Sequence, residues 1–118
     1  AFILDHSAKP AIKAQILDPW REQMRALAAY PNVVCKLSGL VTEADAQNWT
    51  VEDLAPYVAH VLEVFGEERV VFGGDWPVVL GASSYIRWVE ALDKLTAQLS
   101  MVARHKLWAE NARRFYRL

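Results

Sequence analysis

The chain has 118 residues, of which 53% are hydrophobic and 23% are charged, and its formal net charge is −1. This composition is typical of a globular protein and excludes a disordered or collagen-like chain. A charge near zero gives no general attraction to phosphate backbones or anionic lipid, and no apolar run reaches the roughly 18 to 20 residues of a membrane-spanning helix, so we expect neither nucleic acid nor membrane as a partner.

The first predicted unit is a buried strand followed by a helix. The strand covers Phe2 to His6, a run of apolar residues that ends in polar ones. For the helix, Asp18 is the expected N-cap and Pro19 the first helical residue, with Met24 on the apolar face. The helix ends before Pro31.

The second unit repeats this order. Its strand covers Val33 to Ser38, and its helix is expected to begin after Thr50, which forms a capping box with Asp53. Gly66 ends the helix. Pro56 lies inside it and removes one backbone hydrogen bond, so we expect a bend or a later true start there.

The third unit has a strand over Val70 to Asp75 and a helix capped by Ser83 or Ser84 that runs to Leu99. A final helix is predicted from Met101 to about Tyr116. The alternation of strands and helices indicates parallel β/α units, and their spacing is close to the roughly 31 residues per unit of a ~250-residue eight-unit barrel.

Candidate site residues follow from the strand ends, because ligands of parallel α/β folds bind where the carboxyl ends of the strands meet. Those ends carry His6, Lys36 with Ser38, and Asp75. Period-two alternation places His6 on the same face as Leu4 and directs Asp5 to the opposite face, towards a helix residue or backbone.

Cys35 is the only cysteine, so no internal disulfide can form, and a reducing, cytoplasmic setting is expected. Alternation directs Cys35 towards the helices, where it is expected to be a small buried residue and not a nucleophile. His60 and His105 fall in predicted helices and are given no catalytic role.

Four segments in this order resemble the carboxyl-terminal part of metal-dependent amidohydrolases, closest to the sugar-lactone and pyrone-dicarboxylate lactonases: Phe2 to Pro10, Lys36 to Leu40, Val71 to Val78, and Glu110 to Tyr116. The resemblance implies an α/β fold in which residues 1–118 are a fragment, about three β/α units at the carboxyl-terminal end of a (β/α)₈ TIM barrel. The chain begins inside a predicted strand and lacks the family's first-strand His-x-His pair, so the missing N-terminal half of the barrel is an expected partner.

The resemblance also implies roles for two residues. Asp75 matches the eighth-strand aspartate that acts as general base and metal ligand, and His6 matches a strand-end histidine that binds metal or polarises the scissile carbonyl. A divalent metal, zinc, is implied, although some similar lactonases work without one. The alternatives are that Asp75 only caps the turn after it and that His6 is merely hydrogen-bonded.

Four further residues are candidates for contacts with substrate. Lys36 either holds a substrate carboxylate or hydroxyl or pairs with Asp75. Lys9, Trp49 and Trp76 lie on the predicted catalytic face, and Trp49 has the alternative of packing beside the helix N-terminus as a hydrophobic staple.

The implied function of the full-length protein is hydrolysis of a small-molecule lactone, the cyclic ester of a sugar acid, by water attack with Asp75 as base. The 118 residues alone are expected to be inactive. Two alternatives stay open at this point: a metal-dependent decarboxylase of the same fold, and a non-catalytic barrel remnant that needs a partner chain.

Overall fold

The computed structural model describes residues 1–118 and contains a three-stranded parallel sheet with strand order β1-β2-β3. The strands are β1 (Phe2–Leu4), β2 (Val33–Leu37) and β3 (Val70–Phe72). The helices are α1 (Trp20–Ala28), α2 (Leu40–Glu43), α3 (Val51–Phe65), α4 (Tyr85–Leu95), α5 (Met101–His105) and α6 (Asn111–Tyr116). A π-helical turn at Lys106–Glu110 joins α5 to α6. The predicted parallel β/α order is confirmed.

The register of the sheet defines its two faces. Leu4, Cys35 and Val70 are aligned across the three strands, and all three belong to or pack against the hydrophobic core under the helices. On the other face Lys36 is aligned with Val71. Side chains therefore alternate across β2 as predicted, with Cys35 towards the helices and Lys36 away from them.

The core lies between the sheet and its helices. Large side chains from three helices are almost completely buried there, and they are Met24, Leu54, Val58, Trp88 and Leu92. The two residues named from α3, and likewise the two from α4, are four positions apart, which places each pair on one face of its helix and explains why these helices cover the sheet. None of the helices combines the length and apolar character needed to cross a bilayer.

Two predicted caps are confirmed. The Thr50 hydroxyl accepts from the Asp53 N–H while the Asp53 carboxylate accepts from the Thr50 N–H, a complete capping box for α3. Ser84, and not Ser83, caps α4 by accepting from the Arg87 N–H. Of the two alternatives predicted at Pro56, a bend or a later start of the helix, the later start is wrong, because α3 is continuous from Val51 with Pro56 inside it.

Two helix boundaries differ from the predictions. Helix α1 begins at Trp20, and the Asp18 carboxylate accepts from the Arg21 guanidinium instead of capping the helix. This contact lowers the pKa of Asp18. Helix α4 ends at Leu95 and not at Leu99, because the chain leaves helical geometry at Thr96, whose hydroxyl donates to the carbonyl of Leu92.

The strands are shorter than predicted at the end where the candidate site lies. β1 stops at Leu4 and β3 stops at Phe72, so His6 and Asp75 lie beyond the sheet. Both residues have left-handed backbones, with φ of 52° and 54°. Period-two alternation does not extend to them, and the turns that follow the strands determine where their side chains lie.

Candidate active site

His6, Ser38 and Asp75 come together at the carboxyl ends of the three strands. The Nδ1 atom of His6 lies 2.7 Å from the Ser38 hydroxyl oxygen. The Nε2 atom of the same ring lies 3.7 Å from Oδ1 of Asp75. Ser38 is completely buried, whereas the side chains of His6 and Asp75 keep 27% and 11% of their surface exposed. The imidazole and the carboxylate are thus partly open to a ligand.

His6 reaches this site by a route that alternation did not predict. Leu4 packs against the core on the helix side of the sheet, so the predicted shared face of Leu4 and His6 is wrong. A tight turn over Asp5–Ala8 carries the ring to the opposite side. Two hydrogen bonds hold that turn, since the Ser7 hydroxyl donates to the Lys36 carbonyl at 3.1 Å and the Trp20 indole donates to the Ser7 carbonyl at 2.9 Å.

Gly39 packs its backbone directly beneath the His6–Asp75 pair. Its φ is +66°, which favours glycine, and an added Cβ would lie 2.9 Å from Nδ1 of His6 and 3.2 Å from Oδ2 of Asp75. A side chain at residue 39 would therefore push against both functional groups. The sequence marks Gly39 only as the residue after a strand, so its contact with the site was not predicted.

Asp75 is not used as a turn cap. The Val79 N–H in the next turn donates to the backbone carbonyl of Asp75 at 2.8 Å, and the carboxylate accepts no hydrogen bond from the turn that follows. This geometry argues against the alternative in which the Asp75 carboxylate serves only the turn. Its neighbour Trp76 is 69% exposed.

Lys36 pairs with Asp5 and not with Asp75. Its ammonium nitrogen lies 2.9 Å from Oδ1 of Asp5, and this hydrogen bond lowers the pKa of the Asp5 carboxyl. The prediction that Asp5 turns away towards a helix is wrong, because the turn after β1 directs it towards the Lys36 face. Asp5 is 60% exposed at its side chain, so a pair of this kind contributes little to stability and a ligand can compete for the ammonium group.

The remaining predicted substrate residues divide into two groups. Lys9 and Trp76 are exposed and follow the same strand ends as His6 and Asp75. Trp49 is only 1% exposed, its indole donates to the Ala82 carbonyl at 2.8 Å, and the Arg87 guanidinium lies 3.9 Å from its ring centroid. A side chain so enclosed cannot contact substrate, and this corrects the prediction for Trp49.

Three other reactive side chains lie apart from this cluster. Cys35 is fully buried, and burial raises the pKa of its thiol to about 12, as expected for a packing residue. His60 lies 2.9 Å from the Arg21 carbonyl between helices, and the exposed His105 lies 3.2 Å from Glu110. Neither histidine contacts His6 or Asp75.

His6 and Asp75 fit a role as two ligands of one divalent cation. Two donor atoms bound tetrahedrally at about 2.1 Å from zinc are roughly 3.4 Å apart, close to the 3.7 Å between Nε2 and Oδ1. The imidazole and carboxylate are also donor types that zinc accepts. No group of three His, Cys, Asp or Glu side chains in this chain could hold a metal. A complete site would therefore need ligands from outside the 118 residues.

Comparison with known proteins identifies relatives of the whole chain. An L-fucono-1,5-lactonase from Burkholderia multivorans is 41% identical, and the match covers 98% of this chain but 43% of the relative. A crystal structure of an amidohydrolase from Burkholderia multivorans with bound Zn is 41% identical, with a TM-score of 0.94 over 98% of this chain and 43% of that chain.

A third match supports the fold alone. The structure of a putative 2-pyrone-4,6-dicarboxylic acid hydrolase from Pseudomonas putida has a TM-score of 0.75 at 24% identity, covering 97% of this chain and 42% of that chain. This chain thus spans about two fifths of the length of the relatives it matches. The model of the amidohydrolase family matches residues 1–118, and together with these relatives it establishes that the chain belongs to the amidohydrolase family.

Proposed function

We propose that the protein carrying this chain is a lactonase that hydrolyses the cyclic ester of a sugar acid. The observation that carries the proposal is the approach of His6 to Asp75, 3.7 Å apart at the carboxyl ends of parallel strands. The 41% identity to an L-fucono-1,5-lactonase supports a sugar lactone as the substrate.

The proposal places residues 1–118 at the carboxyl-terminal end of a (β/α)₈ barrel. β1 and β3 are the two outer strands of a sheet of three, and each pairs with only one neighbour in this chain. In a closed barrel both free edges pair with further strands, which removes the exposed edges of an open sheet. The rest of the barrel would supply those strands and the remaining site residues.

Asp75 is proposed as the base that activates water. Its carboxylate takes a proton as the water oxygen attacks the ester carbonyl carbon, and it then gives that proton to the ring oxygen when the acyl C–O bond breaks. The elements of water are thereby divided between the two ends of a single open-chain product, one end becoming a carboxylic acid and the other a free hydroxyl. Asp75 ends the cycle ionised, ready for another water.

His6 and Lys36 are proposed to bind and orient the substrate. His6 presents Nε2 next to the Asp75 carboxylate, where it would bind a divalent cation or polarise the ester carbonyl. Such a cation, held by His6, Asp75 and residues outside this chain, would supply Lewis-acid charge when bound. The Lys36 ammonium would orient a substrate hydroxyl or carboxylate, and the exposed Lys9 and Trp76, which follow the same strand ends as His6 and Asp75, are further candidates for substrate contacts.

The proposal is tested with the complete protein and a panel of sugar lactones, aromatic lactones and carboxylic acids. Lactone hydrolysis releases a proton, whereas decarboxylation releases carbon dioxide, so a pH indicator assay and a carbon dioxide assay separate the two activities. Release of carbon dioxide would replace the lactonase by a decarboxylase. Absence of both activities over the panel would favour a non-catalytic barrel.

The Asp75→Asn variant tests the role of the base. We expect the fold to be kept and turnover to fall by about 10²- to 10⁴-fold, because the amide has the same shape but cannot take a proton. Asp93→Asn is the matched control, since Asp93 is an exposed carboxylate on α4 that pairs with Arg104 and not with His6. Near-normal turnover of Asp75→Asn would remove Asp75 from the mechanism.

A further inference from the structure

Ser38 is a buried polar residue with a single partner. It follows β2 directly, has no exposed surface, and its hydroxyl oxygen lies 2.7 Å from Nδ1 of His6. This is a short hydrogen bond for a nitrogen–oxygen pair. It is the only side-chain hydrogen bond that the His6 ring makes, since Nε2 lies 3.7 Å from Asp75.

We infer that Ser38 is a positioning residue that holds His6 so that its Nε2 atom can bind a cation beside Asp75. A ring nitrogen that binds a cation must present its lone pair, so the ring proton must then lie on the other nitrogen. In this structure the atom that can accept that proton is the Ser38 hydroxyl oxygen, next to Nδ1. The inference rests on the proposed function for the role of the cation, but its geometry is independent of the substrate.

The surroundings of Ser38 leave its side chain little freedom. A Cβ added to Gly73 would lie 2.7 Å from the Ser38 Cβ, so the backbone of the next strand end packs against this serine. On the other side, the close approach of Gly39 confines the His6 ring. The Cβ of this buried serine is thus closely packed, and because a hydroxyl can donate as well as accept, it can partner Nδ1 with or without the cation.

The chemistry of the contact predicts a measurable effect on metal binding. Hydrogen-bond partners of metal-binding histidines typically change metal affinity by about 10- to 100-fold when they are removed. Ser38→Ala deletes only the hydroxyl and leaves the Cβ in place. We expect the complete protein with Ser38→Ala to bind Zn²⁺ about 10- to 100-fold more weakly, measured by competition with a chromophoric chelator.

A matched control separates this effect from general destabilisation. Thr96→Val removes another completely buried hydroxyl, one that donates to the Leu92 carbonyl in α4. We expect Thr96→Val to lower the melting temperature but to leave zinc affinity within twofold of wild type. A loss of zinc affinity of equal size in both variants would overturn the inference.

A spectroscopic measurement on the unmodified protein covers the case in which Ser38→Ala does not fold. In ¹⁵N-histidine-labelled, zinc-loaded protein, the Nδ1 proton of His6 should give a downfield resonance that disappears in His6→Gln. Absence of that resonance, or unchanged zinc affinity in a folded Ser38→Ala variant, would overturn the inference. Lactone turnover of the wild type is measured separately. If zinc affinity depends on Ser38 but the protein hydrolyses no lactone, the proposed function is refuted and the inference about Ser38 stands.

Discussion

Replacing Gly39 by alanine tests whether the backbone beneath His6 and Asp75 sets their geometry. With φ at +66°, an alanine costs roughly 1–2 kcal/mol of stability in left-handed geometry. Its Cβ would start 2.9 Å from Nδ1 of His6 and must move to at least about 3.5 Å, so the ring shifts by about 0.6 Å. Because a 1 Å misplacement costs on the order of 100-fold in rate, we expect kcat/KM to fall by about tenfold.

Gly66→Ala is the matched control. Gly66 ends α3 with φ of 72° and ψ of 176°, a backbone region that is essentially restricted to glycine and costs about 1–3 kcal/mol for other residues. A Cβ added there meets no atom within 4 Å. The control is therefore strained at least as much as Gly39→Ala but does not touch the site.

The assay is lactone hydrolysis by the complete protein, read as kcat/KM beside the melting temperature of each variant. We expect both variants to melt at lower temperature, and only Gly39→Ala to lose about tenfold in kcat/KM at a temperature where both are folded. Wild-type kcat/KM in folded Gly39→Ala, or an equal loss in Gly66→Ala, would refute the steric reasoning.

Two further predictions concern His6 and Cys35. His6→Ala should lower the zinc content of the protein after dialysis against a metal buffer, measured by elemental analysis, and unchanged zinc with unchanged turnover would leave His6 a structural residue. For Cys35, the folded pKa of about 12 lies above the ordinary thiol value of 9.0, so the folded state holds the proton more tightly and stability falls as pH rises above 9. Between pH 8 and 10 this thiol should cost about 1.4 kcal/mol of unfolding free energy. In urea titrations, the free energy of unfolding should fall between pH 8 and 10 by that much less in Cys35→Ala than in the wild type. An identical fall in both proteins would contradict the raised pKa of Cys35.

The order of elements and the main caps could be predicted from the sequence, because these depend on local patterns. Thr50 and Asp53 are three residues apart and contact each other within one turn, so the capping box needs no tertiary information. The alternation within β2 was also predictable, and it places Cys35 in the core and Lys36 on the other face. Each of these features is decided within about five residues of chain.

The contacts of the site were harder to predict because they join residues more than 25 positions apart. Lys36 pairs with Asp5, and His6 contacts Ser38, only because two separate strands end side by side. The signal in the sequence for the contact between His6 and Ser38 was a serine followed by a glycine directly after the second strand. The burial of Trp49 depended in the same way on a distant residue, Arg87, which lies over its ring.

The left-handed turns explain why His6 and Asp75 meet although neither belongs to a strand. Four successive residues, His6 to Lys9, have positive φ, as does Asp75, and none of them is glycine. Such residues cost about 1–3 kcal/mol each and persist only where other contacts hold them. Here the Trp20 indole and the Ser7 hydroxyl hold the first turn through hydrogen bonds. Five of the seven non-glycine residues with positive φ therefore lie in the two turns that carry the candidate site, as expected if these turns serve the approach of imidazole to carboxylate.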